Sequence, residues 1–346
     1  MSNKHGHTPL IIRLIYIMRS YIYIMINKNK PIPDYRIDYL DYLEIEKGLS
    51  SKTQENYSRF LQKFYSWLEQ NNLSDLTPAD LTTEHIWKYK VFLSRFVDPI
   101  LKKNLKKSTQ NYYLIALRSF LEFFTEKEIA SLPSSSIKLA KDKSDKEIKF
   151  LNLDQLEKLL LAPNTNSRIG LRDRVIMEVL FSTGLRVAEL VSLDHEQVKT
   201  MIKTKNHEVA VRGKGEKIRT VYFSDRTIKW IEKYFEGRRD SDKALFINYK
   251  PGKPGTVTDR RLTTRSIEDI VKKYVQLAGL SVEATPHTMR HTFATDLLSQ
   301  GADLRMVQEF LGHRNIATTQ IYTHVTNKQL RDVHQKYHSG RKIRDK

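Results

Sequence analysis

Apolar residues recur at helical spacing through the first third of the chain. Residues 34–47 carry Tyr35, Ile37, Tyr39, Leu40, Leu43 and Ile45, and Gly48 can end that helix. Ser50 or Ser51 can cap the next, which places Tyr57, Phe60, Leu61, Phe64, Trp67 and Leu68 on one stripe. Thr83 opens a third helix with Ile86, Tyr89 and Leu93. Ser108 caps a fourth with Tyr112, Ile115, Leu117, Phe120, Leu121 and Phe124. The pattern predicts a small helical bundle over 33–130, with its aromatic stripes turned inward. Leu10 to Ile26 is also apolar, but Arg13 and Arg19 interrupt it and it is short for a bilayer span. No small-residue cleavage site follows. Residues 1–32 are read as an extension, helical or disordered, or as the product of a start codon placed too early.

From Ser131 the periodicity stops. Residues 131–149 begin SLPSSS and continue with alternating charge, where five lysines against Asp142, Asp145 and Glu147 leave +2; this is the expected linker. A second domain, 150–337, follows. Asn152 can cap a short helix, and residues 171–182 read as a buried helix that Thr183-Gly184 breaks. Val209-Ala210-Val211 and Thr220-Val221-Tyr222 alternate around Gly213-Lys214-Gly215 as a β-hairpin does. Residues 227–235 and 266–277 read as helices, with a polar loop over 250–263 between them. Another helix carries His287 and Arg290 and can end at Gly301. Asp303 can cap the next, and Thr318 a later one. Residues 326–346 hold seven Lys/Arg and two Asp, with a short helix expected over 327–337 and a basic tail over 338–346. The predicted class is mainly α with a small β-hairpin, in two domains.

The formal net charge of +19 points to a polyanionic partner, most simply nucleic acid. The absence of cysteine excludes disulfides, zinc–thiolate sites and cysteine nucleophiles, and fits a cytoplasmic location. Neither a phosphate-binding glycine loop nor a carboxylate cluster suited to magnesium is present in the sequence, so no cofactor and no metal is expected.

The chemistry gathers late in the chain. His287 and Arg290 stand three residues apart, on one face of a helix. Gly312-His313 follows, and nine residues after the histidine comes Tyr322. A guanidinium offers a rigid fork of donors to phosphate oxygens. An imidazole donates or exchanges a proton near neutral pH. A phenol can attack phosphorus and hold it covalently. The arrangement His-x-x-Arg, Leu-Gly-His and a tyrosine nine residues on closely resembles the signature of the tyrosine recombinases, or phage-type integrases. STGLRVAEL, with Arg186, resembles the segment of the family's first arginine, and RGKGEKIRTVYF resembles its hairpin with the catalytic lysine, here Lys214. Among members, the compact layout looks most like the Xer recombinases.

The resemblance implies an N-terminal core-binding domain of SAM-like fold and a C-terminal catalytic domain of the DNA breaking-rejoining type. It also implies the roles. Arg186 and Arg290 clasp the non-bridging oxygens, which gain charge in the transition state, and His313 donates to them. Lys214 protonates the departing 5′ oxygen, with Lys203 and Lys217 as nearby competitors. His287 accepts the tyrosine proton or bonds a phosphate oxygen. Glu189, three residues past Arg186, orients Arg186 or His287, or is a plain surface carboxylate. Tyr322 is the nucleophile; its ordinary pKa of about 10 requires help from a base or nearby cations. The product is a 3′-phosphotyrosyl link, which a 5′ hydroxyl reverses without ATP or metal. In the N-terminal domain, segments 48–64 and 106–124 resemble DNA-contacting helices, making Lys52, Lys106, Lys107 and Arg118 candidates for phosphate contact. The implied partner is double-stranded DNA with a specific recombination site, bound by a homo-tetramer or by a hetero-tetramer with a second recombinase, away from membranes. The tasks implied are dimer resolution or integration and excision. Rival readings are a type IB-like topoisomerase and a helix-turn-helix protein over 288–311 that binds DNA without cutting.

Overall fold

The structure, a computed structural model, describes residues 29–140, 149–213, 217–249 and 260–312. The chain divides into two compact units, Met1–Asp145 and Lys146–Lys346. Among the described residues, no helix is long and apolar enough to cross a membrane. The apolar stretch 10–26 lies outside them, as do Thr318 and the helix expected over 327–337.

The first unit is a helical bundle. A single 3-10 turn, Ile32–Tyr35, leads into α1 (Arg36–Ile45); α2 (Ser51–Gln70), α3 (Thr83–Arg95) and α4 (Lys107–Glu126) follow. Its core is largely aromatic. Tyr39, Phe64, Tyr89, Phe120 and Phe124 are fully enclosed, and the Phe120 ring lies 4.5 Å from Phe124 and 4.9 Å from Tyr39, centroid to centroid. Such tilted and edge-on pairs satisfy the ring quadrupoles and fill volume together. The stripe on α1 is narrower than the sequence suggested. Tyr39, Tyr42 and Leu43 face inward, whereas Ile37 and Ile45 are 70% and 80% exposed. On α4, Tyr112 and Ile115 likewise point outward, and Phe123, not singled out in the sequence, is buried. Beyond α4 the chain packs along the same unit: Ile137 is buried, Lys90 Nζ donates to the Lys138 carbonyl, and Asn111 brackets Ala140 through both its amide groups.

Helix starts differ within this bundle. On α3, Thr82 accepts from the backbone N–H of His85, whose ring in turn accepts from the Thr82 N–H, a reciprocal cap. Neither α2 nor α4 has a side-chain cap. Ser50 bonds the Thr53 hydroxyl instead, and α4 starts at Lys107, so Ser108 lies inside the helix and does not cap it. The two starts share the run Thr-Gln, and both glutamines reach back five residues, Gln54 to the Leu49 carbonyl and Gln110 to that of Leu105.

The second unit is built around α6. Its elements are α5 (Leu153–Leu161), α6 (Arg168–Thr183), α7 (Val187–Ser192), α8 (His195–Thr204), β1 (Glu208–Arg212), β2 (Ile218–Tyr222), α9 (Asp225–Glu236), α10 (Thr264–Leu277), α11 (Pro286–Ser299) and α12 (Leu304–Leu311). Helix α6 is buried on nearly every side, packing against α5, α9, α10 and α11. That burial includes charges, and each is matched. Arg172 bonds Asp173, which also accepts from the Tyr274 hydroxyl at 3.0 Å. Arg174 bonds Glu178, which accepts from Arg226 as well. An unmatched charge at these depths would cost several kcal/mol, on the order of the penalty for any buried ion. Strands β1 and β2 pair antiparallel, Val211 facing Arg219 and Arg212 facing Ile218. They form a two-stranded sheet, with Val209, Val211 and Val221 turned to the core. The hairpin and the predominance of helix agree with the class read from the sequence.

Candidate active site

The turn between α6 and α7 sets the first residues of the site. Thr183 accepts from the Leu185 N–H through its hydroxyl, and Gly184 adopts φ +59°, a left-handed conformation that glycine takes without cost. A Cβ at Gly184 would overlap the Phe293 ring, so the close approach of α11 also requires glycine here. Arg186 then stands at the N-cap of α7. Its backbone N–H donates to Glu189 Oε2 (2.8 Å) and its Nη1 to Glu189 Oε1 (3.0 Å). Glu189 is buried, which excludes the surface reading, and it orients Arg186 directly. Burial would raise its pKa, but hydrogen bonds from Arg219 and from the Arg186 backbone outweigh that, and the carboxyl is held below its ordinary range.

Helix α11 supplies the second part. Thr285 accepts from the Thr288 N–H and Pro286 occupies the first turn, where no donor is needed. This fixes His287 at the helix start and Arg290 one turn on. His287 and Arg290 join Arg186 in lining a cleft of about 810 Å³ between α7, α10 and the start of α11. Arg265 and Lys272 also line it, as do Glu268, Asp269 and Glu283, and Arg265 pairs with both Glu268 and Asp269 along α10. Desolvation in this cleft, reinforced by Arg290 and Arg186, holds the His287 pKa below its usual value. Its ring packs edge-on against His291 at 4.3 Å, and burial together with His287 and Arg290 pushes His291 down to about 4. A neutral imidazole accepts a proton at one ring nitrogen and donates from the other, which suits His287 to either role read from the sequence.

The third part is the end of α12. Asp303 caps its start, accepting from the N–H groups of Arg305 and Met306 as expected. At its C-terminus three successive carbonyls are taken by three arginines from other elements. Arg219 Nε donates to Phe310 O (3.2 Å), Arg290 Nη2 to Leu311 O (2.6 Å) and Arg186 Nη2 to Gly312 O (3.3 Å). These carbonyls would otherwise lack helical partners, and cations complement the negative end of the helix dipole. Arg290, only 2% exposed, also donates to Gly184 O (2.5 Å) and so ties both corners together. The structure thereby brings Arg186, Glu189, His287 and Arg290 to one place. Lys214, His313 and Tyr322 lie outside the described residues. Gly312, which immediately precedes His313 in the chain, closes α12 with φ +61°.

Arg219 was not among the residues singled out from the sequence. It donates to both Glu189 oxygens, at 2.7 and 2.8 Å, with a side chain 9% exposed. The signal was present: by the two-residue alternation Arg219 shares the face of buried Val221 and pairs with buried Val211. A cation on that face requires an acceptor.

In the first unit, Lys52, Lys106 and Lys107 are exposed at the uncapped starts of α2 and α4, and Lys52 pairs with Glu55 at 2.6 Å. Arg118 is half-buried along α4. Arg36, Arg59 and Lys63 line a shallow cleft of about 440 Å³ beside α2, cations that the sequence reading passed over because they interleave with core positions.

Comparison with known proteins places these features. The model of the phage integrase family matches residues 149–329, and that of the phage integrase N-terminal SAM-like domain matches residues 37–128. Tyrosine recombinase XerD of Staphylococcus epidermidis is 33% identical over 308 residues, covering 87% of this chain and 97% of that protein. XerD of Oceanobacillus iheyensis is 34% identical over 309 residues with the same coverage. Among solved structures, the XerH recombinase bound to palindromic difH substrate in a post-cleavage complex aligns with TM-score 0.63 at 23% identity, over 81% of this chain and 78% of that one. A lambda integrase dimer bound to a COC′ core site aligns with TM-score 0.64 at 19% identity, over 92% and 81%. These two share the fold.

Proposed function

This chain belongs to the phage integrase family and is a site-specific tyrosine recombinase, and from that premise we propose that Tyr322 is its nucleophile and that Arg186, Lys214, His287, Arg290 and His313 complete the catalytic set. The observation that carries this assignment is the meeting of Arg186 and Arg290 at the carbonyls of Leu311 and Gly312, directly before His313 in the chain. Two guanidinium groups held at one cleft, beside a histidine kept neutral, suit a phosphodiester whose charge grows in the transition state.

In the proposed reaction the Tyr322 oxygen attacks phosphorus while His287 takes the phenolic proton. The forks of Arg186 and Arg290 exchange carbonyl or solvent partners for the non-bridging oxygens, with His313 donating alongside. The bond from phosphorus to the 5′ oxygen breaks, and Lys214 delivers a proton to that oxygen. Loss of one such fixed donor costs about 10²–10³ in rate in comparable sites. Attack by a 5′ hydroxyl on the phosphotyrosyl bond runs the sequence backwards and rejoins strands. The substrate is double-stranded DNA bearing a specific site. The first unit contacts its phosphates through Lys52, Lys106, Lys107 and Arg118, whose helices start without side-chain caps and leave N–H groups for an anion. Four protomers act on two paired sites, in the cytoplasm.

The test is covalent trapping on nicked suicide duplexes drawn from the host replicon and from mobile-element ends. Wild type and Tyr322→Phe are run side by side in EDTA on a denaturing gel. The expected result is a shifted protein–DNA band from wild type alone, with DNA binding equal in both. A band from the Tyr322→Phe variant would remove the nucleophile assignment. Relaxation of supercoiled DNA without any site preference would replace the site-specific reading with a topoisomerase.

A further inference from the structure

Arg219 makes more polar contacts to the surroundings of the active site than a hairpin residue needs, yet it does not line the cleft. Its two terminal nitrogens hold both oxygens of Glu189, and its Nε holds the Phe310 carbonyl. The same Glu189 carboxylate orients Arg186 through the backbone and the guanidinium. Two glycines pack on this cluster. A Cβ at Gly213 would lie 3.2 Å from Glu189 Oε1 and 3.7 Å from Arg219 Nη1; a Cβ at Gly312 would lie 2.7 Å from Arg219 Cδ. Gly213 is the residue before Lys214, and Gly312 the residue before His313.

We propose that Arg219 is a positioning residue that keeps the paired strands of the hairpin, as far as Gly213, and the corner at Gly312 in register with the Arg186 guanidinium. The proposal rests on the catalytic assignments given above. One planar fork, carried on β2, binds two things at once: the carboxylate that aims Arg186 and the helix end that leads into His313; through the pairing of Arg219 with Val211 it ties both to the strand that leads into the general acid. A lysine at 219 reaches one of these partners at a time, as a point charge without the fork.

Single-turnover cleavage at saturating nicked duplex tests it, using the full chain and two leaving groups: the natural 5′ oxygen and a bridging 5′ sulfur. A thiol has a pKa of about 8.5, so the sulfur departs without a proton from Lys214. Arg219→Met is expected to slow cleavage of the oxygen substrate about 100-fold, the order of a misplacement near 1 Å. DNA affinity should stay within about threefold, and the sulfur substrate should recover about tenfold of the loss. Arg219→Lys should fall between Arg219→Met and wild type. A merely structural role predicts fewer active molecules, seen as a lower burst amplitude and melting temperature, with an unchanged rate constant; that result overturns the proposal. So does equal slowing on both leaving groups, because the hairpin would then be in place. If Arg219→Met does not fold, Arg219→Lys and Glu189→Gln answer the same question. A wild type that forms no adduct on any duplex overturns the catalytic reading itself, whereas a wild-type adduct with unaffected variants overturns this inference alone.

Discussion

Arg290 serves the fold and, in the proposed mechanism, the chemistry as well. It is buried, and it bonds the carbonyls of Gly184 and Leu311, so the corner after α6 and the end of α12 depend on it. A cation at that depth requires acceptors, and a phosphate oxygen is a stronger one than a carbonyl. His291, behind His287, is held neutral with a pKa of about 4. In the unfolded chain an imidazole takes a proton near its ordinary pKa of about 6.5. The folded state therefore binds fewer protons between these values. The stability this contributes is complete above about pH 6.5 and is lost as pH falls toward 4. Urea unfolding at about pH 7 and pH 5 should show a loss of roughly 1–2 kcal/mol attributable to this group. His291→Gln should remove that part of the slope, and an unchanged slope would deny His291 the role. Residues inside a motif, such as Arg186, Glu189 and Arg290, could be read from the sequence because their neighbours announce them. Arg219 could not be read so directly, since its partners Glu189 and Phe310 are 30 and 91 positions away in the chain.

At the scale of elements, the site is made by ends rather than by middles. The α6 terminus, the α7 start, the α11 start and the α12 terminus converge, and glycines at 184 and 312 make two of these turns. Gly184→Ala forces a side chain into a left-handed backbone and into the Phe293 ring. The expected cost is roughly 2–5 kcal/mol, adding the left-handed penalty to overpacking. A thermal melt should reveal it as a clear drop in midpoint, and an unaltered midpoint would mean that the turn relaxes freely. Most helix positions were legible, because apolar spacing survives without tertiary information; α8 (His195–Thr204) was not read, since only Val198 and Met201 of its ten residues are buried. Which members of a stripe are buried was less so. Ile37 and Ile45 share the period of α1, but the surrounding helices cover only the side bearing Tyr39, Tyr42 and Leu43. Helix starts were legible at the side-chain caps Asn152 and Asp303, whereas the starts capped by Ser167, Ser224 and Thr263 lie two or three residues before the positions read from apolar spacing. They were misread at Ser108, where the start carries no side-chain cap at all.

For the whole molecule, two units and an excess of nineteen positive charges describe a protein organised for a polyanion. Each phosphate neutralised by a lysine or arginine releases counterions, so affinity for a cognate duplex should fall with a log–log salt slope steeper than about −5. A filter-binding or anisotropy titration over a salt series measures it, and a flat response would mean that the basic surface is not the DNA-binding one. The central claim is narrower: Tyr322 becomes bonded to a 3′ phosphate. The most direct measurement is to trap the covalent complex on a nicked duplex, digest protein and DNA, and identify the modified peptide by mass spectrometry. The predicted result is a nucleotide on Tyr322 within the tryptic peptide spanning residues 315–328, attached through its 3′ phosphate, and a free 5′ hydroxyl on the departing strand. Attachment at Tyr337 or any other side chain, or through a 5′ phosphate, would contradict it.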